Sequence, residues 1–208
     1  MPNGRLPATF DSHMRAPQTA AVDLYWIPLG SGGCFVRFNG RVFESIQAAH
    51  RHRSRCDLYH AALVVCLSGD RYAIELAPSP DADEASRGVL ATGAVGSRHL
   101  GWMRLFRYEV RCRRDGYIAD LGDAFGGARV LSSDPQMARR LVDLVAAVPT
   151  PVWGRDELEA GEMWNSNSLI AWLIASAGIS TDDLRPPPHG RAPGWRAGLE
   201  VAAAPRVA

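Results

Sequence analysis

Two short stretches of this chain hold residue types able to carry out acyl chemistry together. His60 stands in DLYHAALVV, and MWNSNSLIAWLIASAG places Ser166 between Asn165 and Asn167 at the start of an apolar run. A helix beginning there presents unpaired N–H groups and partial positive charge, which favour a developing oxyanion. A serine hydroxyl is a weak nucleophile until an adjacent base takes its proton, and His60 is the base available. Glu75, a lone acid in the apolar stretch YAIELAP, is the candidate for orienting the imidazole. Trp153 and Trp164 bracket the approach to Ser166, to wall a pocket or to anchor that loop. The same residues also admit a structural role. Ser and Asn side chains accept the orphan N–H bonds of a helix start, and a strand histidine can serve as a hydrogen-bonded core group.

A histidine opening a core strand, followed later by a nucleophile position at the N-terminus of an apolar helix, resembles the permuted, NlpC-type papain-like fold group that includes the lecithin retinol acyltransferase relatives. The resemblance runs over residues 58–178. It implies a permuted papain-like architecture and a hydrolase or acyltransferase acting on amide, peptide or lipid-ester bonds. Ser166 then takes the nucleophile position, His60 is the base, and Asn165 or Asn167 lies near the oxyanion. The family carries Cys where this chain has Ser166. That departure opens a second reading, a catalytically inactive relative acting as a ligand- or protein-binding domain. A third, an interaction domain outside this fold, requires His60 and Ser166 to lie far apart.

Other chemistry finds less support. His50, His52, Cys56 and His60 are close in sequence, but on a helix His50 and His52 diverge by about 200°, so no metal site is expected. Gly30-Ser31-Gly32-Gly33 follows a strand-like stretch, yet neither GK[ST] nor a helix comes next, and both nucleotide-binding fingerprints fail. No cofactor is expected. Cys34, Cys56, Cys66 and Cys112 form no CxxC pair and read as free thiols. Cys66 alternates with Val64 and Ala62 on one strand face, as a small buried hydrophobe does.

The elements that must position these residues read as an α+β fold. Cys34–Phe38 and Arg41–Glu44 flank Asn39-Gly40, a hairpin turn dipeptide, and a short helix is expected over Ser45–Arg53. Leu58–Leu67 and Arg71–Ala77 form a second hairpin about Ser68-Gly69-Asp70. If Gly69-Asp70 is its two-residue turn, Val64 faces Glu75. That puts Glu75 on the face of His60 but roughly 13 Å along, where pairing with an Arg or with solvent competes. Asp81–Arg87 reads as an acidic loop, and Val89–Val95 and Leu105–Cys112 as further strands. Ser133-Asp134-Pro135 caps a helix carrying Met137, Leu141, Leu144, Val145 and Val148, which Pro149 ends. A second helix runs from Asn167 to a C-cap at Gly178; being apolar nearly all round, it must be buried against the sheet. An antiparallel sheet of about five or six strands is expected, with the Asn167 helix on one face and the Asp134 helix beside it.

Composition sets the outer limits. The 208 residues, 47% hydrophobic and 22% charged, suit one folded domain. Residues 1–20 read as a flexible N-terminal segment and 21–185 as the domain. Residues 186–208 form a Pro/Gly/Arg-rich tail that Trp195 and Leu199 could dock. The net charge of +1 gives no long-range pull toward nucleic acid or an anionic membrane. All basic residues other than histidine are Arg, so the run His50–Arg55 reads as a solvated helix end. No apolar run approaches the roughly 20 residues of a membrane span, and the N-terminus lacks a signal-like apolar core. A cytoplasmic location is the expectation.

Overall fold

A computed structural model describes residues 20–29, 56–78, 88–118 and 120–205. The Asn39-Gly40 hairpin, the 45–53 helix, the Gly30–Gly33 loop, the 81–87 loop, Cys34, His50, His52 and residues 1–19 lie outside them.

The described residues form seven strands: β1 (Ala20–Pro28), β2 (Asp57–Leu67), β3 (Asp70–Pro78), β4 (Val89–Ala94), β5 (Arg107–Arg114), β6 (Arg129–Ser132) and β7 (Gly190–Arg191). Six form an antiparallel sheet in the order β4-β5-β3-β2-β1-β6, while two-residue β7 runs parallel to the start of β2. The helices are α1 (Pro135–Leu144), α2 (Ser166–Ala177) and α3 (Trp195–Ala203). The α+β class and the antiparallel sheet read from the sequence are therefore present.

The β2–β3 turn is Ser68-Gly69, both at positive φ, and it pairs Leu67 with Asp70. This is the two-residue hairpin geometry that matches strand twist. Because the turn lies one residue earlier than Gly69-Asp70, the register shifts by two: Val64 faces Ala73, not Glu75. The last paired residues are Leu63 and Ile74, after which β3 leaves β2 and follows β5 to Tyr108. Among the described residues no strand then pairs with Tyr59–Ala62 on that side, β7 reaching only Asp57 and Leu58.

Strand alternation divides the sheet into two unlike faces. Leu24, Tyr59, Ala61, Leu63, Val65, Ile74, Tyr108 and Val110 project into the main core, where α1 and α2 pack on them. Ile27, Ala62, Val64 and Ala73 project the other way, under Ile118, Leu121 and Ala124 of the loop after β5. Helix α1 starts as its sequence requires: Asp134 caps it, accepting from Gln136 N at 2.9 Å, with Pro135 in the first turn. Helix α2 ends at Gly178, whose φ of 89° is the left-handed cap conformation.

The stretch after residue 185, expected as a tail, carries a helix. In α3, Trp195 packs on Trp26 with ring centroids 4.8 Å apart, and Gly198 lies against α2. A Cβ on Gly198 would sit 2.2 Å from the Ser168 carbonyl oxygen, so only glycine permits this crossing. Among the described residues no helix is long and apolar enough to cross a membrane.

Candidate functional site

Helix α2 begins against the open flank of β2. Where β3 departs, the backbone of Tyr59 and Ala61 would be left without a strand partner, and the Asn167 carboxamide takes its place. Its Oδ1 accepts from Ala61 N at 2.7 Å, and its Nδ2 donates to Tyr59 O at 3.1 Å and to Pro193 O at 2.9 Å. An amide side chain can satisfy a donor and an acceptor at once, as a neighbouring strand would. Asn167 is buried, as a group with all its polar atoms engaged can be.

Asn165 is the N-cap. Its side chain accepts from Asn167 N and Ser168 N, and its Nδ2 donates to Pro193 O at 2.9 Å. Ser168 completes the reciprocal box: its hydroxyl accepts from Asn165 N at 3.1 Å and donates to Gly194 O at 2.8 Å. Glu162 accepts from Gly194 N, tying the same turn from the other side. The helix start thus clamps α2 to the residue 193–194 turn and to β2. The N–H groups of residues 167 and 168, which an oxyanion would need, already have the Asn165 oxygen as acceptor. Trp164 is buried and its backbone bridges Trp153, so it anchors the loop.

Ser166 is the first residue of α2 and is half-buried, and His60 is a residue of β2. The β1–β2 register runs unbroken from Ala20↔Leu67 to Pro28↔Tyr59 and pairs His60 with Ile27, a residue of the second face. Its neighbours Tyr59 and Ala61 belong to the α2 side. With no bulge to reverse the alternation, the imidazole leaves the sheet on the side opposite α2. The sheet thus turns His60 to the face away from the core that α2 packs into, while Asn167, the residue after Ser166, bonds the backbone on either side of His60.

The second face, to which His60 belongs, carries a charged stretch on β3 and β5. Glu75 faces Arg111 across β3 and β5, and its carboxylate lies 3.1 Å from Arg113 Nη2 and 3.9 Å from Arg111 Nη1. Arg111 also pairs with fully buried Glu109 at 2.8 Å, and Arg113 donates to Tyr117 O. Glu75 shares a face with His60, yet its hydrogen bond goes to an arginine. Burial pushes the His60 pKa down, against an upward pull from the Asp120 carboxylate. Burial raises that of Glu75, with Arg113 and Arg111 opposing. Two carboxylates held between two guanidiniums make a balanced ionic lattice across two strands, β3 and β5, a structural device more than a reactive one. Its signal was present in FRYEVRCRR, where Glu109, Arg111 and Arg113 alternate along one face.

Cys66 and Cys112 are half-buried free thiols, and burial drives Cys112 up to about 11, far from the thiolate a nucleophile needs. Among the described residues no three His, Cys, Asp or Glu side chains gather as metal ligands. No family model, no curated protein and no solved structure matches the chain.

Proposed function

We propose that this chain is a binding domain without hydrolytic chemistry, the second of the two readings its resemblance to papain-like proteins leaves open. The order of a histidine-bearing strand followed by a buried helix supports a papain-like relationship. What supports the loss of chemistry is the side of the sheet on which His60 alternates, the face of Ile27, Ala62 and Val64, away from the core that α2 packs into. Unless a base engages it, the Ser166 hydroxyl stays a weak nucleophile. The neighbouring N–H groups are spent on Asn165, so a tetrahedral oxyanion finds few donors.

A fluorophosphonate probe tests this directly, since it marks hydroxyls activated by a base. The expected result is no labelling of Ser166 in the folded protein, judged by intact mass. Stoichiometric labelling abolished by both Ser166→Ala and His60→Ala would restore the hydrolase or acyltransferase reading and overturn this one.

A further inference from the structure

The connection between β4 and β5 carries the most exposed apolar side chains among the described residues. Trp102 is 80% exposed and Leu105 81%, and Leu100 lies beside them at 37%. Two single-turn helices, Arg98–Leu100 and Arg104–Phe106, build this tip at the β4 edge of the sheet. The turns are closed by backbone bonds from Met103 N to Leu100 O and from Phe106 N to Met103 O, both 2.9 Å. The side chains are thus displayed on a hydrogen-bonded support.

The charge of this tip departs from the near-neutral chain. Residues 98–107, RHLGWMRLFR, hold three arginines, one histidine and no acid. Asp156 and Glu157 are the carboxylates beside them; Glu157 offsets Arg98, and the remaining cations outnumber Asp156. Glu157 grips Arg98 through two bonds of 2.8 and 3.0 Å, and Asp156 accepts from Ala160 N and Gly161 N. Arg155, whose Nε donates to Gly96 O, adds another cation at the base of the tip.

We propose that this tip is a peripheral membrane-docking element: Trp102 and Leu105 enter the interface of an anionic bilayer while the surrounding arginines meet its headgroups. Tryptophan favours the headgroup level, where one part of its ring is apolar and its N–H is wet. Basic residues beside it gain from the negative surface potential of such a bilayer. A protein partner fits less well. Two projecting side chains supply a few hundred Å² at most, short of the roughly 800 Å² per partner of a stable protein interface. The tip is remote in sequence from Ser166 and His60, so the proposal stands whether or not those residues react.

The full chain would be sedimented with vesicles of phosphatidylcholine alone and of phosphatidylcholine with phosphatidylserine. Binding is expected to the anionic vesicles, with at least a severalfold loss as salt rises to about 0.5 M. The double variant Trp102→Ala/Leu105→Ala should weaken it by about tenfold or more, from the apolar surface it no longer buries. Both side chains are exposed, so circular dichroism and thermal unfolding of the variant should match the parent. Absence of binding to anionic vesicles overturns the proposal, as does binding that the double variant retains. Self-association of the parent that the double variant abolishes, without vesicle binding, assigns the tip to a second copy and overturns it too.

Discussion

Replacing Asn167 with alanine tests the account of the α2 start most sharply. The carboxamide satisfies Ala61 N–H, Tyr59 C=O and Pro193 C=O in a buried position. Asn165 still donates to the Pro193 oxygen in the variant, which leaves two strand groups of β2 without this partner. An unsatisfied buried backbone group costs roughly 1–3 kcal/mol, so Asn167→Ala should lose about 3 kcal/mol, less where water enters the space vacated. Ser166→Ala, one residue away, should change stability by no more than about 0.5 kcal/mol. Urea unfolding with an unchanged slope measures both, and amide exchange should show faster opening at Ala61 in the Asn167 variant alone. A loss below about 1 kcal/mol for Asn167→Ala would refute the claim that this side chain stands in for a missing strand.

Two further outcomes follow from the packing and the electrostatics. Gly198→Ala places a Cβ 2.2 Å from the Ser168 carbonyl oxygen and 2.8 Å from Ala171 Cβ. Overpacking of about 1–3 kcal/mol should outweigh the roughly 1 kcal/mol that alanine gains in helix propensity; a more stable variant in urea melts would mean that the α2–α3 crossing can open freely. His60 has a folded pKa below the ordinary imidazole value of 6.5, because burial disfavours the imidazolium. The unfolded chain therefore binds more protons below that value, and the His60 contribution to stability is complete above 6.5 and lost as pH falls through it toward the lower folded value. Glu75, raised by burial from 4.5, acts in the opposite sense at lower pH, its contribution fading as pH rises through 4.5 to its raised value. His60→Gln should flatten the acid-side loss that begins near 6.5, and an unchanged slope in pH-dependent urea melts would refute the burial of this ring.

The sequence disclosed the elements whose signals are local. The Asp134 cap with Pro135 and the Gly178 stop are each chemistry of a few adjacent residues and appear where they were expected, while the β2–β3 turn falls within Ser68-Gly69-Asp70 but one residue earlier than the register assumed. Helix α3 was not legible, because Pro186–Pro188 and Gly194 argue against a helix and its nine residues depend on docking Trp195 onto Trp26. The role of Asn167 was hidden for a related reason: its partners lie more than a hundred residues away in the sequence.

The face of His60 was a different matter, since the alternation that grouped Ala62, Val64 and Cys66 extends backwards to it without a break. What alternation alone could not say is which face α2 would cover, as both faces of β2 are apolar. The neighbouring strands decide that. A helix apolar nearly all round cannot lie on Glu75, Glu109, Arg111 and Arg113 without stripping water from an ionic lattice, a cost of several kcal/mol per ion before pairing. It therefore takes the face of Ile74, Leu76, Tyr108 and Val110, and His60 is left with the charges. The period-two charges of β5 thus decide which face of the sheet α2 covers, and with it the face on which His60 is left.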